Sequence, residues 1–182
     1  NQVIVDIDKN PHEADVYNLV GKSFSNSLQF QGDYELIKRL DLRLAYRYYD
    51  VKTTYSDELL EKPLTSKHRF LANLSYNTRN FWNIDLTINT QGPKRIPNTK
   101  SNPDEYKLAE YSQWYSVVNI QISKTWKEKF EAYIGVENVF DYRQKKLIVA
   151  ADDPFGKYFD SSIIWGPVFG RNFYLGLRYK LK

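Results

Sequence analysis

Polar and apolar side chains alternate residue by residue along most of this chain. In the segment 82–90, for example, Ile84 and Leu86 alternate with Asn83 and Asp85. Successive side chains of a β-strand point to opposite faces of a sheet, so each such segment has one apolar face and one polar face. The alternation therefore predicts an all-β protein built from two-faced strands.

The alternation divides the chain into eight predicted strands, which cover residues 3–7, 22–34, 40–51, 68–76, 82–90, 111–124, 130–140 and 172–181. The connections between them are of two kinds. Short connections at 35–39, 78–80 and 126–129 alternate with long ones at 9–15, 56–65, 92–110 and 143–167. In an antiparallel meander, successive connections lie at opposite ends of the sheet. We therefore expect short turns at one end and long loops at the other, as in membrane β-barrels.

Alternation alone does not decide which face lies inside, because soluble barrels and sandwiches also alternate but bury their apolar face. Three features favour a membrane barrel with lipid on its apolar side. Trp and Tyr lie near the ends of the apolar faces, as in interfacial aromatic belts. The predicted strands mostly approach the length of about 9–11 residues that a membrane strand needs. Charged residues able to pair across a hydrated lumen occupy the polar faces: Arg43, Arg47, Arg69, Asp85, Glu131, Glu137 and Arg178.

Composition excludes several other classes of protein. Apolar residues make up 42% of the 182 residues, which argues against a disordered chain. The absence of Cys excludes a disulfide framework and thiolate metal sites. The net charge of +4 is small and the basic residues are spread among acidic ones, so we expect no nucleic-acid partner. The first residues do not read as a signal peptide, and we expect a mature segment or a fragment of a longer protein.

Two C-terminal segments resemble the TonB-dependent receptors of the bacterial outer membrane. Residues 131–144, EAYIGVENVFDYRQ, resemble the penultimate barrel strand of these receptors, which ends in a G-x-x-N-x-F/L pattern. Residues 164–181, IWGPVFGRNFYLGLRYKL, resemble their final strand, which closes the barrel. The segments 18–25, 62–69 and 92–97 fit the preceding strands and loops, so the resemblance covers essentially the whole chain.

The resemblance implies a larger assembly. Such receptors have a 22-stranded barrel filled by an N-terminal plug, and a segment ahead of the plug recruits TonB. Residues 1–182 would then be the C-terminal section of the transmembrane barrel, without the plug, in the bacterial outer membrane. The implied partners are the rest of the barrel and the plug, TonB through the missing N-terminal part, and outer-membrane lipid and lipopolysaccharide. The implied function is uptake of a ligand such as a siderophore, vitamin, glycan or peptide.

Two alternatives stay open on the sequence. The first is a free-standing eight-stranded outer-membrane barrel with a structural or adhesive role. The second is a soluble, lipocalin-like barrel that binds a ligand between its buried apolar faces. A sealed interior that contains Leu44, Leu86 and Leu177 would contradict the membrane interpretation.

The candidate binding residues form two groups. The first is predicted to line the lumen or a ligand route, and consists of Arg43, Arg47, Arg69, Asp85, Glu137 and Arg178. For the arginines we favour salt-bridge ladders within the wall. The second group is predicted to make contacts from the extracellular loops. Its lysine and arginine could bind an anionic ligand or the phosphates of lipopolysaccharide. A loop that is only solvated is an equal alternative. This second group consists of Lys94, Arg95 and Trp165.

No catalytic, cofactor or metal site is predicted. His12 lies beside Glu13 in a loop, and His68 begins a strand, but neither belongs to a nucleophile or metal motif. Asp152 and its acidic neighbours fit no EF-hand spacing, so we expect a solvated loop. Gly135 and Gly176 are predicted to face inward. Because glycine has no side chain, we expect a plug to approach closely at both positions.

Overall fold

A computed structural model of the chain describes residues 2–8 and 14–181. This part contains ten strands and one short 3-10 helix, and no helix in it is long and apolar enough to span a membrane. The strands are β1 (Val3–Asp6), β2 (Asp15–Asn18), β3 (Ser23–Ile37), β4 (Leu40–Tyr55), β5 (Glu58–Glu61), β6 (His68–Asn77), β7 (Trp82–Gln91), β8 (Tyr115–Trp126), β9 (Phe130–Glu137) and β10 (Asn172–Tyr179). The helix covers Asp104–Tyr106.

One antiparallel sheet of eight strands dominates the fold. Seven strands follow the order β10-β9-β8-β7-β6-β4-β3, and β5 pairs with β4 beside this path. The predicted fold class, an antiparallel sheet of eight strands, is therefore confirmed. In the described part of the chain, β3 and β10 lie at opposite ends of the sheet and do not pair with each other.

The eight strands of the sheet are not the eight that the sequence predicts. The first predicted strand forms β1, which pairs with β2 in a separate hairpin. The eighth member of the sheet is β5, which lies inside the predicted loop 56–65 and pairs with the end of β4. Ser56 and Asp57 connect these two strands with φ angles of 45° and 71°. Two consecutive positive φ angles are typical of a tight hairpin turn, which explains why polar loop-type residues here continue the sheet.

Apart from the two-residue turn between β4 and β5, the connections of the large sheet segregate as predicted. Links of two to four residues join β3 to β4, β6 to β7 and β8 to β9 at one end. The long connections lie at the other end, where the segments 62–67, 92–114 and 138–171 pack together. We call these three segments the loop layer. Its small hydrophobic core consists of buried Ile96, Val149 and Ile163, with Leu64, Tyr106, Leu108 and Trp165 packed around them.

The strand register gives the sheet two chemically distinct faces. Residues that pair across strands share a face, and one continuous row runs from Arg47 through Arg69 and Gln91 to Tyr115. The opposite face is apolar and open. The exposed fractions of Leu44 and Leu177 are 52% and 68%, and Leu86 is half-buried. These three side chains are therefore not gathered in a sealed interior.

Candidate functional site

All six predicted lumen residues lie on the polar face of the sheet. Two of the four arginines form ion pairs between adjacent strands. The Nε of Arg43 donates to Oδ1 of Asp33 at 2.5 Å, and Nη1 of Arg178 donates to Oε2 of Glu131 at 3.0 Å. Each pair joins residues directly opposite in the register. Arg43 and Arg178 thus pair within the sheet, and the lining of a lumen stays a prediction for all six residues.

The two predicted lumen carboxylates accept hydrogen bonds from neutral side chains. Asn73 Nδ2 donates to Oδ1 of Asp85 at 2.9 Å, and Thr87 Oγ1 donates to the same atom at 3.1 Å. Asn172 Nδ2 donates to Oε2 of Glu137 at 3.4 Å. Amides and hydroxyls thus extend the hydrogen-bond network along the polar face toward β10.

The other two arginines lie directly opposite each other, Arg47 on β4 and Arg69 on β6. The guanidinium of Arg47 lies over the ring of Tyr49, 5.1 Å from its centroid. Its Nε is buried and has no hydrogen-bond partner within the described residues, and the same holds for Oε1 of Gln91, next in the row. The row that contains Arg47 and Gln91 therefore has unsatisfied polar groups, whereas the other four predicted lumen residues have partners on the polar face.

Two glycines on the polar face are covered by tyrosine rings from the neighbouring strand. Gly135 pairs with Tyr174, and Gly176 pairs with Tyr133. A Cβ at either glycine would lie within 2.3 Å of the opposite tyrosine side chain. The hydroxyl of Tyr174 donates to Oε1 of Gln121 at 2.9 Å. A tyrosine ring of the neighbouring strand therefore occupies the space over each glycine, and the close approach of a plug stays a prediction.

Lys94 is buried inside the loop layer, with 8% of its surface exposed. Its Nζ donates to the carbonyl oxygen of Trp165 at 2.5 Å and to the hydroxyl of Tyr115 at 3.3 Å. Burial lowers the pKa of Lys94, and nearby Arg69 lowers it further. The ring of Trp165 packs against the hydrophobic core of the loop layer and tilts against Tyr115.

Arg95 is also buried and fixes the β1–β2 hairpin to the loop layer. Its Nη1 and Nη2 donate to the two carboxylate oxygens of Asp8 at 2.8 and 2.7 Å. Its Nε donates to the carbonyl oxygen of Glu61 at 2.6 Å. A cavity of about 370 Å³ adjoins this pair, lined also by Glu58, Lys100 and others. Arg95 and Lys94 thus have internal partners, and direct contact with a ligand remains a prediction for them.

Sequence reasoning missed two buried side chains that organise the long connection between β9 and β10. Gln144 Oε1 accepts the N–H groups of Trp165 and Gly166 at 2.7 and 2.9 Å. Asn138, with a φ of 51°, bonds both the N–H and the C=O of Tyr142. Asn adopts left-handed backbone more readily than most residues. The signal was present, since Asn138 is the Asn of the G-x-x-N pattern.

The histidines and Asp152 are the residues that the sequence analysis considered as metal ligands. His12 lies outside the described residues. His68 Nδ1 bonds the hydroxyl of Tyr46 at 2.8 Å on the apolar face. Asp152 accepts a hydrogen bond from Tyr106, which raises the pKa of Tyr106 to about 12. Within residues 2–8 and 14–181, no three His, Cys, Asp or Glu side chains are grouped to hold a metal ion.

The fold of this chain is similar to sections of outer-membrane receptors of known structure. A mutant of the ferric enterobactin receptor PfeA from Pseudomonas aeruginosa matches 86% of the chain with a TM-score of 0.63 and 13% identity. The ferric-catecholate import receptor Fiu from E. coli K12, in its closed form, matches 86% with a TM-score of 0.58 and 12% identity. The copper transporter OprC matches 86% with a TM-score of 0.61 and 18% identity.

The resemblance to TonB-dependent receptors is therefore confirmed at the level of the fold. The names of the three structural neighbours describe two receptors and one transporter. The chain spans 22%, 21% and 24% of their respective lengths. No protein-family model and no curated protein sequence matches it.

Proposed function

We propose that residues 1–182 form the C-terminal section of the barrel of a TonB-dependent receptor in the outer membrane. The observation that supports this proposal is the open apolar face of the sheet. This face extends across the seven strands from β10 to β3. Its rows include Leu28, Phe30 and Phe70 toward the long loops and Ile134, Leu175 and Leu177 toward the short turns, all exposed. A water-soluble protein rarely leaves an apolar surface of this extent uncovered, whereas lipid covers it in a membrane barrel.

The remainder of the receptor follows from this assignment. A larger barrel supplies neighbours for β3 and β10, whose outer edges would otherwise expose unpaired N–H and C=O groups to lipid. A plug fills the bore, and TonB, acting on a segment ahead of the plug, transmits the energy for uptake. The long loops lie outside the cell and help to capture the ligand, while the short turns face the periplasm.

The transported substrate is proposed only as a class. The names of two structural neighbours refer to ferric siderophores and that of the third to copper. This supports a metal chelate, such as a siderophore complex, ahead of a vitamin, glycan or peptide. Uptake of labelled chelates by cells that carry or lack the gene tests the class, and selective loss of one chelate in the deletion strain identifies it.

Matched cysteines on adjacent residues test which face meets lipid. The chain has no native Cys, so Leu44→Cys and Ala45→Cys each introduce one labelling site on opposite faces of β4. A fluorophore at residue 44 of the complete receptor is expected to be quenched by brominated lipid, and one at residue 45 is not. Equal quenching at both positions, or quenching at 45 alone, contradicts the orientation.

Refolding separates a wall section from a free-standing barrel. The complete gene product is expected to give a heat-modifiable band on a detergent gel, as a closed barrel does, and residues 1–182 alone are not. A stable heat-modifiable band from the 182-residue chain would support the eight-stranded alternative. Monodisperse solubility without detergent would support the lipocalin-like one.

A further inference from the structure

Positive charge is concentrated without an acidic partner at one place on the polar face. Arg47 and Arg69 are opposed across β4 and β6, a like-charge arrangement that destabilises a sheet. Within the described residues, neither forms a salt bridge with Asp or Glu. Arg43, four residues before Arg47 on the same strand and face, has such a partner in Asp33.

The residues around the two arginines do not neutralise them. The next row toward the short turns is neutral and contains Ala45, Leu71 and Asn89. Toward the loops, Arg47 meets the ring of Tyr49. A basic side chain of the loop layer, that of buried Lys94, has its pKa lowered by burial and, in second place, by the charge of Arg69, so it offers the arginines no acidic partner.

Unused hydrogen-bonding groups accompany this charge. The Nε of Arg47 is a donor and the Oε1 of Gln91 is an acceptor, and both are buried without a partner in the described part of the chain. Buried polar atoms are rarely left unpaired in folded proteins. A group that completes this row must offer an oxyanion to the arginines and a donor to Gln91.

We propose that Arg47 and Arg69 bind a carboxylate of the plug, while a backbone or amide N–H of the same plug segment donates to Gln91. The proposal rests on the proposed function, because it needs a domain inside the bore. A guanidinium presents a planar fork of donors that fits a carboxylate. A small free carboxylate supplies the anion but no N–H donor, and it leaves the like charges unpaired whenever it dissociates. A resident peptide segment satisfies both needs continuously.

Hydrogen exchange of the complete receptor in detergent tests the proposal. In the variant R47Q/R69Q, one plug segment that contains Asp or Glu is expected to exchange about tenfold faster or more, because its charged anchor is lost. The matched control R43Q removes a similar charge from the same strand and face, and plug exchange is expected to stay at the wild-type rate. R47K/R69K keeps the charge without the fork and is expected to restore part of the protection.

The outcomes separate this proposal from the proposed function. A heat-modifiable band from R47Q/R69Q establishes that the variant barrel is folded. Unchanged plug exchange in that folded variant overturns the carboxylate site but leaves the receptor assignment intact, even if citrate is found to bind the wild type at these arginines. A gene product without a domain in the bore overturns both.

Discussion

The loop layer and the sheet differ in which side chains they bury. In the loop layer, charged side chains such as Lys94 and Arg95 are buried and bonded to other parts of the same chain. In the sheet, Leu175 and Leu177 remain 78% and 68% exposed. The buried charges of the loop layer thus have partners within the same chain, whereas the sheet leaves large apolar side chains exposed.

The difference teaches where each region obtains its stability. Buried polar groups are costly unless they are bonded, so the loop layer depends on particular pairs that span long distances in sequence. The sheet depends on its ladder of backbone hydrogen bonds and on the medium at each face. Four predictions test this contrast, in order of decreasing expected effect.

Loss of the buried pair between Arg95 and Asp8 is expected to have the largest effect. Arg95→Ala leaves the buried Asp8 carboxylate without its cationic partner, with only the N–H of Asn98 still bonded to it among the described residues, which costs about 3–5 kcal/mol. The matched control is Lys107→Ala in the same loop, whose partner Asp104 is 96% exposed. Because solvent screens this pair, its loss is expected to have almost no effect on the free energy of local opening. Hydrogen exchange of segment 92–114 in the complete receptor measures the free energy of local opening. Equal effects of the two substitutions would contradict the conclusion that the loop layer depends on its buried ion pair.

A charge on the apolar face is expected to destabilise the folded receptor in a bilayer. In the proposed orientation, Leu86→Lys places an ammonium among lipid chains, which costs about 2–4 kcal/mol near the bilayer midplane. Thr87→Lys, one residue further on the polar face, is expected to cost less. Urea unfolding of the reconstituted receptor gives both free energies. The reverse order would mean that the two faces have been assigned the wrong way round.

Filling the glycine space under a tyrosine is expected to cost about 1–3 kcal/mol, as overpacking does. Gly135→Ala places a Cβ 2.3 Å from the Tyr174 side chain. Gly32→Ala is the control, since a Cβ there has nothing within 4 Å. Combining Gly135→Ala with Tyr174→Ala is expected to cost less than the two single changes added together. Strict additivity in the same unfolding assay would show that ring and glycine do not interact.

Acid is expected to loosen the β9–β10 connection slightly. The N–H of Arg171 bonds the Asp141 carboxylate at 2.7 Å and, together with the Arg143 guanidinium, holds the pKa of Asp141 below its ordinary value. Because the folded pKa is the lower one, this stabilisation is present above the unfolded pKa and is lost as pH falls through the folded pKa. Proteolysis by pepsin between pH 4 and pH 2 measures the opening of segment 138–171. Asp141→Asn should remove that part of the pH dependence, and an unchanged profile would contradict the assignment.

Much of the sheet was predictable because strand periodicity is local. The alternation of side chains along each strand predicted that Arg43, Arg47 and Arg69 lie on the polar face. The register of the sheet shows that they share one face. β5 was not predicted, because the turn at Ser56 and Asp57 uses residues that also form ordinary loops. Nor did the sequence indicate which arginines are paired. A slip of two residues between β3 and β4 preserves every face but changes the partner of Asp33.

The amino-acid sequence by itself determined the strands, their two faces and the separation of short turns from long loops, because each follows from the order of neighbouring residues. Only the tertiary structure decided that Arg95 is buried against Asp8 and that Tyr174 covers Gly135. It also decided that two arginines face each other without an acidic partner among the described residues. Contacts of this kind join residues that are distant along the chain, such as Asp8 and Arg95, which are 87 positions apart. They depend on how strands align and loops pack, which no local pattern of residues encodes.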